Sequence, residues 1–151
     1  MAASPAQARY LADAVKTASP ARLLVMLYDR LVLDVNRGIE AQQAGDRIEA
    51  STHLRHAQDI VSELRSTLKI DAWDGAAELA SVYQFVLMEL ITMSGQPDVA
   101  RLQKVADIVT GLRDTWRQAA ASLLAPAAAP APVTAPRTTH EAPGRSAAWV
   151  A

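Results

Sequence analysis

The sequence predicts an all-α chain, an antiparallel up-down-up-down four-helix bundle with a short N-terminal segment and a disordered C-terminal tail. Three observations carry that prediction. Apolar residues recur at helical spacing through most of the first 124 residues, and no stretch alternates as a strand would. Breakers at Ser19-Pro20, Gly45, Asp71 to Gly75, Gly95 to Pro97 and Pro126 cut this region into four segments of similar length. The connections between them are shorter than about eight residues, which favours antiparallel neighbours.

Each segment has a start and a stop with a physical reason. Ser19 can accept a bond from a free amide and Pro20 suits the first helical position, so helix one begins there and runs to Ala44, with Gly45 as its stop. Asp46-Arg47-Ile48-Glu49 is a capping-box start for helix two, which continues to about Lys69. Helix three spans Ala76 to Ser94 and ends at Gly95. Helix four has Pro97 in its first turn and reaches Leu124. Residues 1–18 form a separate N-terminal segment. Residues 125–151 hold five of the eight prolines and ten alanines, a composition without a periodic apolar face that predicts disorder. Trp149 near the end of the tail reads as an incidental exposed aromatic or, alternatively, as a short docking motif.

The faces of the four helices differ. Helix two carries one stripe: Ala50, Leu54, Ala57, Ile60, Val61, Leu64 and Leu68. Helix four carries another, from Leu102 through Val105, Ala106, Val109, Leu112, Trp116, Ala119 and Ala120 to Leu123. Helices one and three are apolar nearly all round. In helix one, Leu23, Leu24, Leu27, Tyr28, Leu31 and Val35 make an inner face, and Val25, Met26, Val32 and Leu33 continue around the cylinder. In helix three, Val82, Val86, Leu90 and Met93 lie on one side, widened by Tyr83, Leu87 and Ile91, while Phe85 and Met88 point the other way. No helix of a four-helix bundle is wholly buried, so the surplus reflects a cover, a partner chain, or a thick core with ordinary stray surface hydrophobes. Tyr10, Leu11, Ala14 and Val15 give the N-terminal segment an apolar set suited to such a cover.

Composition excludes several function classes. With 15 Lys+Arg against 16 Asp+Glu the chain has a formal charge of −1, too little basic excess for a nucleic-acid binder. It has no cysteine, hence no disulfide, thiolate metal site or cysteine nucleophile. The N-terminus lacks the continuous apolar core of a signal peptide. The longest apolar stretch, Val82 to Met93, is broken by Gln84 and Glu89 and is short for a membrane helix. A soluble cytoplasmic protein without membrane insertion is expected.

Chemistry is sparse. His53 and His56 stand three apart on helix two, but a metal needs further ligands at that level, and two solvent-facing histidines are expected. Carboxylates are scattered singly, and neither a glycine-rich phosphate loop nor a nucleophile elbow occurs. No catalytic residue, cofactor or metal site is expected. Arg113 and Arg117 flank Asp114 and Trp116 on helix four, read as a charged surface cluster beside a core tryptophan.

Several blocks, in order, resemble one family. They are Thr17-Ala18-Ser19-Pro20 with Leu23-Leu24, then Met26-Leu27-Tyr28-Asp29; Ala57-Gln58-Asp59-Ile60-Val61 with Glu63-Leu64 and Thr67-Leu68; Val82-Tyr83 with Phe85-Val86; and Leu112-Arg113-Asp114-Thr115-Trp116. Their order and spacing resemble the flagellar secretion chaperones of the FliS type, over Tyr10 to Ala121. The resemblance implies a four-helix bundle and a non-enzymatic role. It implies binding of the C-terminal helical region of flagellin, prevention of premature polymerisation, and delivery to a component of the flagellar type III export gate. It further implies a client wrapped around the bundle and an N-terminal segment that covers part of the same surface. Phe85 stands where the family often has a second Tyr, Met93-Ser94 where it commonly has Ala-Asn, and the Ala/Pro-rich tail lies outside the family core.

Joining both readings, the expected client contacts are Val25, Met26, Leu33, Val82, Phe85 and Met88, with Tyr10 and Val15 in the movable cover. A monomer or weak dimer is expected when free. From the residues alone, two other classes stay open: a self-associating structural bundle, and a metal-binding bundle enzyme.

Overall fold

In the computed structural model, which describes residues 4–10 and 19–124, four long helices follow one another: α1 (Pro20–Gln43), α2 (Arg47–Thr67), α3 (Ala76–Gly95) and α4 (Val99–Leu124). Residues 5–10 form a further short helical piece. Expectations about Val15, the tail and Trp149 fall outside the described residues.

The helix ends follow the capping chemistry closely. Ser19 accepts from the Arg22 amide at 3.3 Å, and Asp46 accepts from the Glu49 amide at 3.0 Å. The reciprocal half of the expected capping box is absent. Glu49 turns instead to His53 Nε2, 2.9 Å away, and the Asp46 amide donates to the Ala41 carbonyl. That last bond, with Gly45 N–H donating to Gln42 at 3.1 Å, closes α1 in a Schellman motif. Gly45 has φ +75°, the left-handed region. A Cβ there would meet nothing within 4 Å, so only backbone strain opposes a side chain. Gly45→Ala is expected to cost about 1–2 kcal/mol, read as a lower midpoint in thermal unfolding. Helix α4 starts two residues later than expected, because Asp98 rather than Pro97 caps it, accepting from the Arg101 amide at 3.1 Å.

Helix α1 packs against α2 and α4, and α3 packs against the same two, so α1 and α3 sit diagonally across the bundle. The α3–α4 seam is the least extensive of the four. The core runs through Tyr28, Leu31, Val35, Leu54, Val61, Val86, Leu90, Met93, Leu102, Val105 and Val109. At Gly38, α1 and α2 come so close that an added Cβ would lie 2.6 Å from Leu54 Cδ2.

Two expectations about buried faces need correction. The α4 stripe is buried only as far as Val109, apart from Ala120; Leu112 and Trp116 are partly covered, and Ala119 and Leu123 are exposed. The physical reason is length. Helix α4 has 26 residues and α3 has 20, so the last turns of α4 run past the start of α3. The first turns of α1 face the same gap, and Leu23, Leu24 and Leu27, assigned to the inner face, are only partly buried.

Helix α3 also extends beyond the Val82 to Met93 stretch. By length and composition it could cross a membrane, but its Ala76, Leu79, Tyr83, Val86, Leu90 and Met93 side chains are buried in the bundle core.

Candidate partner-binding surface

Two tyrosines tie the middle of the bundle together. The buried hydroxyls of Tyr28 on α1 and Tyr83 on α3 share a hydrogen bond across the diagonal. Burial pushes both phenols up from their ordinary value; for Tyr28 the neighbouring Tyr83 pushes in the same direction. Such groups stabilise the fold fully below the unfolded-state pKa of about 10, and lose that contribution as pH rises, because the unfolded chain ionises first. Stability in denaturant titrations is therefore expected to fall above about pH 10, and a Tyr28→Phe, Tyr83→Phe double variant to fall less steeply.

Of the two expected solvent-facing histidines, His56 is exposed while His53 is mostly covered, and both lie against a carboxylate of the neighbouring helix. Asp34 on α1 is fully buried, with Oδ2 accepting from His56 Nδ1 and, at 3.2 Å, from Arg30 Nε. His53, mostly covered, places Nδ1 3.7 Å from Asp34 Oδ1, which has no hydrogen-bond partner. The cluster fastens α1 to α2. Among the described residues no group of three or more His, Asp or Glu side chains is placed to hold a metal ion.

The arginines of α4 also work between helices. Arg117 reaches Asp29 on α1 at 2.7 Å, and Arg113 approaches the same carboxylate at 3.9 Å as well as Asp114 at 3.1 Å. Arg101 forms a two-pronged pair with Glu89, at 2.6 and 3.1 Å, which pins the α3–α4 seam at one end. Solvent screening keeps the contribution of these exposed or partly exposed pairs to stability small.

Several large apolar side chains stay exposed. On the outer side of α3, Phe85 and Met88 are each 51% exposed, and Ile91, expected to widen the opposite, inner side, is instead 48% exposed three residues on. Spaced three apart, they form one band along the helix. On α1, Leu33 is 39% exposed, and Met26, two turns earlier on the same side, is partly buried. Val25 is also partly buried. Val82 departs from the expected outer set: it is partly buried against the core cluster. Tyr10 is 74% exposed on the short N-terminal helical piece.

The expected contacts thus fall on two surfaces, one on α1 and one on α3. The α1 set and the α3 band belong to diagonal helices and face away from each other. A third apolar region, missed from sequence, is a groove of about 270 Å³ between the start of α1 and the end of α4. It is lined by Pro20, Ala21, Leu24, Trp116, Ala119, Ala120 and Leu123. The signal for it lay in the unequal lengths of helices three and four.

The family model described as "Flagellar protein FliS" matches residues 2–123. The chain belongs to the FliS family. Two curated relatives, both named flagellar secretion chaperone FliS, are similar to it. The one from Bacillus subtilis (strain 168) is 29% identical over 110 residues, 73% of this chain and 82% of the relative. The one from Vibrio cholerae serotype O1 is 28% identical over 105 residues, 69% of this chain and 77% of the relative. A crystal structure described as a flagellar chaperone from bacteria superposes with a TM-score of 0.63 at 19% identity. It covers 78% of this chain and 96% of its own, a likeness of fold. FliS proteins are chaperones, not enzymes, and family membership supports a role in flagellar protein export.

Proposed function

We propose that this FliS protein binds the C-terminal helical region of flagellin in the cytoplasm, keeps it from polymerising early, and aids its delivery to the flagellar type III export gate. The single observation that carries this reading is the exposed apolar band Phe85, Met88 and Ile91 on a helix whose other side is core. A solvent-facing band of that kind on a four-helix bundle fits an amphipathic client segment that folds as it docks. The α1 surface of Val25, Met26 and Leu33 is the second contact. Because the two surfaces lie on opposite sides, one client must reach around the bundle to cover both.

Co-purification tests the assignment. Full-length flagellin from the host is expected to be retained by the tagged protein, and flagellin lacking its C-terminal region to pass through. Retention of both forms would move the client site elsewhere.

The N-terminal segment, with Tyr10 and Val15, is assigned as a movable cover of the client surface. Deleting residues up to Lys16 is expected to leave helical content per residue unchanged in circular dichroism while changing client affinity severalfold. A loss of bundle helicity would make the segment part of the core instead.

A further inference from the structure

The groove between the start of α1 and the end of α4 is not used by the client reading above, and the chain offers an occupant for it. Its walls hold no charged residue, and its volume of about 270 Å³ exceeds the roughly 150 Å³ that accommodates a benzene ring. Trp116 forms one wall. Leu123, 76% exposed, forms another, one residue before α4 ends. The chain then continues for 27 residues, 125–151, of which Trp149 is the sole aromatic. The last five, Ala147-Ala148-Trp149-Val150-Ala151, carry no charged side chain.

We propose that this groove is the docking site of the chain's own residues 147–151, with the Trp149 indole seated against Trp116 and Leu123. Three arguments select this occupant. The first is reach: a flexible chain of about 25 residues has a mean span of roughly 25–30 Å, which the five prolines of this segment lengthen, and Trp149 can still turn back to the point where the tail leaves the bundle. Tethering this close gives an effective concentration in the millimolar range, which lets a small contact be populated. The second is chemistry. An aromatic side chain gains from an aromatic wall beyond the area it buries; the N-terminal segment's one aromatic, Tyr10, is 74% exposed and does not line the groove, and residues 11–18 hold no aromatic and include Asp13 and Lys16. The third is size. Seven lining residues are far fewer than the 20–30 per side of a stable interface between two copies. The tail then has a role that its Ala/Pro-rich composition does not suggest: it carries a terminal aromatic plug back to an apolar slot that the helices leave open.

The absence of cysteine makes the test direct. Spin labels on Gln118→Cys and Ala148→Cys in the full chain are expected to give a narrow distance population below about 20 Å, against the broad distribution at roughly 30 Å or more of an undocked, Pro-bearing tail. Trp149→Ala and, separately, Leu123→Asp are each expected to abolish the narrow population. Leu123 is exposed, so that change leaves the core untouched. A broad distribution in the parent pair overturns the proposal, as does a narrow one that survives either substitution. A short distance between two singly labelled molecules assigns the groove to a second copy. In fluorotryptophan-labelled protein, a Trp116 resonance that moves on deleting residues 1–18, and not on Trp149→Ala, assigns it to the N-terminal segment. Either result removes the tail from the groove.

Discussion

Gly38→Val is expected to destabilise the bundle by about 2–3 kcal/mol, lowering the midpoint of thermal unfolding by roughly 10 °C or more. The β-carbon alone would sit 2.6 Å from Leu54 Cδ2 and 3.1 Å from Leu54 Cγ, closer than carbon atoms tolerate. Leu54 is fully buried, and Leu102 Cδ2 lies 3.9 Å from the same added carbon, so the space around it is already filled. The leucine cannot retreat without displacing the core. Valine adds two methyl groups to that clash and stiffens χ1 in the helix. The helix propensity gained by replacing glycine, about 0.5 kcal/mol, is too small to compensate. Thermal unfolding followed at 222 nm checks it. An unchanged midpoint would mean that α1 and α2 do not approach as closely at this point as the structure has them.

The second large effect is on binding and leaves the fold alone. Phe85→Asp combined with Met88→Asp is expected to weaken flagellin binding by about 3 kcal/mol or more, roughly a hundredfold. Both side chains are half exposed on the outer face of α3. Their replacement removes apolar area that the client would bury and forces two carboxylates into the contact. The bundle loses only helix propensity there, about 0.5 kcal/mol per site. Loss of affinity with a preserved unfolding midpoint is the signature of a contact surface. A matched fall in both would mark these residues as structural.

The bundle itself was legible because each of its determinants is local. Ser19-Pro20, Gly45 and Asp46 act on amides within four residues, and the structure places the corresponding helix ends at those positions. The stripes of helix two could be read from their period alone, and all but Leu68 are fully buried. Contacts made between helices were less legible. His53 and His56 carry no sequence mark of their partner, because Asp34 lies 22 residues before His56 and meets it only when α1 packs on α2. Arg113 and Arg117 were paired with the nearby Asp114, whereas the structure adds Asp29, 88 residues from Arg117. Surplus hydrophobicity on helix three was readable as a count of apolar faces, and Phe85 and Met88 are indeed exposed. Which residues would be left open at the far end of the bundle was not. That depends on how far α4 overshoots α3, a difference of element lengths rather than a pattern within either.

The central claim is that the open apolar faces of this bundle are a seat for the C-terminal region of flagellin. Calorimetric titration of that isolated region into the protein, repeated at several temperatures, tests it most directly. Saturable binding at one to one is predicted, with a clearly negative heat-capacity change from the apolar area buried as the client folds around the bundle. No saturable binding by the C-terminal region, or binding with a heat-capacity change near zero, would contradict it.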